Sequence, residues 1–180
     1  MLRLKHLFHA GFYRSCFRSL IIGLANATPP LNEFRSIRYR LFSLAGMCLA
    51  PGVCFQGNVV VSPIDRGENI IIGANTFINN EVRFAAPSAF IRIGKGCAIG
   101  PRVSFETVNH RFPGNMLEHL PIEVGDKCWI GSGAIVLPGI VIGDDVVVAA
   151  GSVVTKNIPS SSMVRGFPAR IIRNIKVENV

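Results

Sequence analysis

Val108-Asn109-His110 places one imidazole in a non-repetitive stretch of the chain. A neutral imidazole near physiological pH can take a proton from an attacking hydroxyl, a step worth about 10²–10⁴ in rate. Only four histidines occur, and His6 and His9 lie near the start. A surface loop histidine without a role fits the same string as well as a general base does. Glu118 and His119 follow in the same stretch and read as solvated loop charges. At the other end, Lys156, Arg170 and Arg173 make up most of a basic C-terminal stretch, which by itself reads as a solvated tail. The five cysteines are odd in number and contain no CxxC pair. That pattern argues against a disulfide framework or a zinc ribbon and for small buried roles for most of them.

The elements that must position these groups are announced by a repeat of six. Val124, Ile130, Val136, Ile142, Val148 and Val154 follow one another at that step. Ile93, Ile99 and Phe105 keep it, as do Ile72, Ile78 and Phe84. Six does not fit a helix of 3.6 residues per turn. It fits short strands with alternating side chains joined by tight turns, three to a coil of about 18 residues, with coils about 4.8 Å apart. Gly, Asn and Asp would supply the corner conformations. A β-sandwich with Gly-rich turns is the plainer reading, but its strands do not hold one step across consecutive segments.

The repeat breaks twice. Ala85-Ala-Pro-Ser-Ala-Phe-Ile-Arg92 adds residues before Ile93, and about a dozen extra residues separate Phe105 from Val124. Loops that leave a rigid scaffold often carry function, and the longer insertion contains His110. The first 50 residues do not repeat. Leu2, Leu4, Leu7 and Phe8, then Phe17, Leu20, Ile21 and Leu24, suggest an amphipathic helix before Pro29-Pro30. A second short helix would run from Arg35 to near Gly46 or Pro51, and Ala169 to Asn174 suggests a third.

With 180 residues, 49% of them hydrophobic, the chain suits one domain and not a disordered tail. No run of about 18 uncharged apolar residues exists, and the charged N-terminus is a poor signal peptide. The expected compartment is therefore the cytoplasm. The net charge of +8 sits at the two ends. Residues 1–40 hold seven Lys/Arg and one acid, while residues 41–155 hold seven against nine. A uniform nucleic-acid-binding surface would not be charged in this way.

The run IEVGDKCWIGSGAIVLPGIVIGDDVVVAAGSVVTKNIP, followed by GFPARIIR, resembles the hexapeptide-repeat acyltransferases. The resemblance covers about residues 50–175. It implies an all-β, left-handed parallel β-helix, against the right-handed crossover rule. The expected organisation is an N-terminal helical extension (1–50), a β-helix (51–160) with an extended loop at 110–122, and a C-terminal CoA-binding helix or tail (161–180). It also implies a homotrimer using acetyl-CoA, with sites between subunits and no metal. His110 falls where the family carries its signature histidine. Asn79, in FINNEVRF, matches an active-site asparagine, although its spacing to His110 is one residue longer than usual; Asn80 would restore the spacing but not the local string. A turn asparagine is the simpler reading of either. The family's CoA contacts fall on Ser132, Ala150, Thr155, Lys156, Arg170 and Arg173. Trp129 could line the same groove or simply pack.

The string RYRLFSLAGMCLAPGV resembles sugar and polysaccharide O-acetyltransferases, so the expected acceptor is a sugar hydroxyl, in a glycan or its precursor. Serine or another small hydroxyl compound is an alternative acceptor. A metal-dependent carbonic anhydrase coil would need three converging imidazoles, and a non-catalytic structural coil is the remaining alternative. The basic N-terminus could lie on an anionic membrane leaflet, or pack on the coils or a neighbouring subunit and cover the open end; packing is preferred.

Overall fold

The computed structural model describes residues 10–114 and 116–175. Leu2 to Phe8, read above as the start of a helix, lie outside the described residues. From residue 48 the chain winds as a left-handed parallel β-helix of five coils. The coils carry β1 (Cys48–Leu49), β2 (Cys54–Phe55) and β3 (Val59–Ser62), then β4 (Ile70–Ile72), β5 (Phe77–Ile78) and β6 (Val82–Ala85), then β7 (Ile91–Ile93), β8 (Ala98–Ile99) and β9 (Ser104–Glu106). A hairpin, β10 (Val108–Arg111) and β11 (Met116–His119), interrupts the winding. It resumes with β12 (Ile122–Val124), β13 (Trp129–Ile130), β14 (Ile135–Val136), β15 (Val141–Ile142), β16 (Val147–Val148) and β17 (Val153–Val154). Strands stack in parallel into three faces: β1-β4-β7-β12-β15, β2-β5-β8-β13-β16, and β3-β6-β9-β14-β17.

Every residue of the six-step series from Ile72 to Val154 points inward and is buried. Identical positions stack coil on coil; the Phe84 and Phe105 rings lie parallel with centroids 5.7 Å apart. The expected β-helix of 51–160 takes in most of the first coil, but the six-step series does not reach it. Phe55 and Val61 are also buried, with Leu49 packed against the core, but eleven positions separate Val61 from Ile72. All three insertions, after Val61, Phe84 and Phe105, leave at the same edge, where the third face turns into the first.

The corners explain the spacing. Three residues after each first- and second-face aliphatic from Ile72 to Val148, Asn75, Glu81, Gly96, Arg102, Lys127, Gly133, Asp145 and Gly151 adopt φ between +54° and +68°. Asn, Asp and Gly were expected there. Glu81, Arg102 and Lys127 show the stacked coil imposing a left-handed turn on residues that do not favour it. At the first-to-second edge the residue after the aliphatic is Gly73, Gly94, Gly125 or Gly143, because the next coil passes too close for a Cβ. Beside it, Thr76 Oγ1 donates to Gly94 O (2.8 Å), Cys97 Sγ to Gly125 O (3.1 Å) and Cys128 Sγ to Gly143 O (3.0 Å). Cys97 and Cys128 thus fill the small buried role, but Cys16 and Cys48 are exposed and Cys54 is half-buried, so that role does not extend to most of the five.

Two helices close the open end of the first coil. α1 (Ala10–Ala27) and α2 (Arg35–Leu44) pack together, and Phe42 sits 4.5 Å from Phe55, centroid to centroid. Asn26 exchanges two 3.0 Å hydrogen bonds with the Val59 backbone, satisfying a strand that would otherwise be an open edge. Buried Arg38 donates to the carbonyls of Thr28 and Gly57. Packing on the coils is therefore the fate of the inner face of this segment. At the other end the expected C-terminal helix is absent: β18 (Ser162–Gly166) adds to β16, and Ala169–Asn174 returns antiparallel as β19. The exposed edge of the second face offers backbone partners, and the β-branched pair Ile171-Ile172 suits a strand.

Candidate active site

Thr107 fixes the root of the hairpin. Its hydroxyl and amide both donate to Ala85 O (2.8 and 3.0 Å), and its carbonyl accepts from Leu120 N (2.9 Å). Asn109 and Arg111 both reach Glu118, at 3.5 and 3.2 Å. Glu118 is thus a brace of the hairpin rather than a merely solvated charge. His110, opposite Leu117, is exposed on this stem. It lines a groove of about 680 Å³ with Arg83, Glu106, Asn109, Leu137 and Pro138. Among the described residues no side chain hydrogen-bonds to His110, so its ring is free to meet a ligand proton. His119 buries Nδ1 without a partner.

Asn79 lies elsewhere, at the edge where the second face turns into the third. Its Oδ1 accepts from Asn80 N (2.8 Å), and Nδ2 has no partner among the described residues. Asn80 is committed to the scaffold: Oδ1 accepts from Asn58 N (2.9 Å) and Nδ2 donates to Glu81 (3.3 Å). Of the two asparagines, Asn79 is therefore the one with an amide to offer.

The remaining predicted residues divide between the same two edges. Ser132 and Ala150 stack on the Asn79 edge, where Gly151 N donates to Ser132 O at 2.9 Å. Thr155 and Lys156 follow Val154 on the His110 edge. Lys156 and Arg170 line one recess of about 330 Å³ with Asn157, Ile158 and Ile171. Arg173 stands apart, its Nε 3.4 Å from Met163 Sδ. Trp129 points out from the second face, exposed, and does not line the His110 groove. Among the described residues, no group of three His, Cys, Asp or Glu could hold a metal ion. Sequence reading missed Arg83 and Glu106, although each sits one place from an inward Phe, at the outward-pointing parity.

A hexapeptide-built prism with a histidine on a protruding hairpin defines the class of β-helix acyltransferases. Residues 121–156 match the model described as bacterial transferase hexapeptide (six repeats). The chain is 43% identical over 142 residues to nodulation protein L of Rhizobium meliloti, covering 74% of each chain. It is 37% identical over 115 residues to galactoside O-acetyltransferase of Escherichia coli, a match that covers 61% of this chain but spans only 57% of that relative's length. A hexapeptide-repeat acetyltransferase of Vibrio cholerae, solved with acetyl coenzyme A, superposes with TM-score 0.82 at 31% identity, covering 94% of this chain and 92% of that one. The chain belongs to the hexapeptide-repeat acetyltransferase family.

Proposed function

We propose that the protein is an acetyl-CoA-dependent O-acetyltransferase acting on a sugar hydroxyl, as a homotrimer with its sites between subunits. The observation that carries this reading is the division of the site residues. His110, Thr155 and Lys156 stand on one edge of the third face; Asn79, Ser132 and Ala150 stand on the other. Neither edge is a complete site. Threefold packing of prisms, edge against neighbouring edge, would bring the two sets together and leave a groove for the pantetheine arm.

In that groove the acceptor hydroxyl oxygen attacks the thioester carbonyl carbon while His110 takes its proton. The tetrahedral intermediate collapses with cleavage of the C–S bond. The imidazolium returns the proton to the leaving thiolate, giving the acetyl ester and CoA. The free Nδ2 of Asn79 from the neighbouring subunit suits donation to a reacting oxygen. Lys156 and Arg170 suit the phosphates of CoA. Thiol release from acetyl-CoA in the presence of sugar acceptors is the test. A trimer that binds CoA yet turns over with no sugar would remove the reading.

The location proposed is the cytoplasmic side of a membrane, near a glycan precursor. Tyr13, Phe17, Leu20 and Leu24 form an exposed apolar stripe on the outer face of α1, next to exposed Arg14. Among the described residues no helix is long and apolar enough to cross a membrane. The stripe, in a segment whose exposed cations include Arg14, Arg35 and Arg40, fits an anionic lipid surface. The full chain should pellet with phosphatidylserine-containing vesicles and not with phosphatidylcholine alone; Leu20→Glu should abolish pelleting while the trimer persists.

A further inference from the structure

We infer that Arg83 and Glu106 form a diol-recognition subsite that orients the sugar beside His110. This rests on the groove being the acceptor site. The outward positions of the third-face strands are Val60, Ser62, Ala85 (itself covered), Ser104, Ile135 and Val153, together with Arg83 and Glu106, the only charged members. Both line the groove that holds His110.

Their pairing leaves binding capacity unused. Glu106 Oε1 accepts from Arg83 Nε at 2.9 Å and from Ser104 Oγ at 2.6 Å. Among the described residues, Glu106 Oε2 and both Nη groups of Arg83 have no hydrogen-bond partner. The Arg–Glu bond and the serine hold the two heads side by side. A carboxylate oxygen that can only accept thus stands beside guanidinium N–H groups that can only donate. Adjacent hydroxyls of a pyranose satisfy both: one donates to Oε2, and its neighbour accepts from Nη. A lone hydroxyl, as on a serine side chain, satisfies one at most. Stability gives little reason for the pair, because a half-exposed ion pair is worth only about 0–1 kcal/mol.

The test compares wild type with Glu106→Gln and Arg83→Met, using maltose, methyl β-galactoside and their monodeoxy analogues. Saturation-transfer NMR reads sugar binding, calorimetry reads CoA binding, and thiol release gives the acceptor KM. Losing a charge-assisted hydrogen bond should raise the acceptor KM about 10–100-fold. CoA affinity and trimer mass should not change, and Glu106→Asp should recover part of the loss. The deoxy analogue that penalises wild type should carry a much smaller penalty in the variants. Unchanged sugar binding in both variants overturns the subsite, and so does a wild-type protein that binds none of the sugars. Sugar binding that is lost in the variants, without acetyl transfer in wild type, keeps the subsite and removes the acetyltransferase reading instead.

Discussion

Asn79 and His110 stand at opposite edges of one face. Asn79 leads into β6 from the second face, and His110 leaves the prism just beyond β9, one coil above. About five residues of extended chain separate the edges, roughly 16 Å, too far for both side chains to act on one bond within a single chain. Mixed trimers test whether a site is shared. His110→Ala and Asn79→Ala subunits should each be nearly inactive alone. Refolded together at equal amounts, they should regain about a quarter of wild-type activity, because one interface in four then joins an intact His110 to an intact Asn79. A mixture as inactive as its parents would place the whole site in one chain.

Lys156 and Arg170 converge on one recess, with Arg173 outside it. Lys156→Ala and Arg170→Ala should each raise the KM for acetyl-CoA by about 3–30-fold, with the defect shrinking at high salt as surface electrostatics are screened. Arg173→Ala should change it less. Initial rates across acetyl-CoA concentration, at low and high ionic strength, give the answer. A larger effect from Arg173 would mean that the phosphates lie over the hairpin rather than in the recess.

The scaffold depends on glycine where coils touch. A Cβ on Gly125 would lie 2.7 Å from the backbone carbon of Gly143 and 2.3 Å from Asp144 Oδ1. Backbone cannot swing aside as a side chain can. Gly125→Ala should therefore cost about 1–3 kcal/mol, seen as a lowered unfolding temperature. Gly133→Ala is a useful contrast, because a Cβ there meets nothing within 4 Å and only the left-handed φ of +67° opposes it. It should cost about 1–2 kcal/mol.

These features differ in how far the chain betrays them. Inward positions from Ile72 to Val154 were legible because each is fixed by a local step of six. Leu49, Phe55 and Val61 obey the same step, but the insertion before Ile72 hides their connection. Ala169 to Asn174 could not be read as a strand from its own residues, since its partner, β18, is supplied by the end of the stack. His110 and Asn79 could be named by type and string. Their separation follows from counting faces: Asn79 is one residue past the inward Ile78 of the second face, whereas His110 is five past the inward Phe105 of the third. Arg83 and Glu106 are charges among many in the sequence, and only stacking joins them.

Asp126 caps the coil below it. Its Oδ1 accepts from the Lys95 backbone N–H at 2.9 Å, and Lys95 Nζ lies 3.4 Å from Oδ2. The Lys95 amide, aided by the Lys95 charge, holds this carboxyl below the usual aspartate range. A pKa that is lower folded than unfolded stabilises the fold fully above the unfolded value of about 4, and ceases to do so as pH falls through the folded value. Asp126→Asn keeps an oxygen for the Lys95 amide but carries no charge. Its unfolding temperature should therefore lie below that of wild type at pH 7, and the gap should close as both are acidified below about pH 4. Added salt at pH 7 should narrow the gap too, because the group is exposed and its interaction with Lys95 is screened. Melting curves at pH 7 and at acid pH decide the matter; a gap of the same size at both would assign the effect to packing of the side chain and not to its charge.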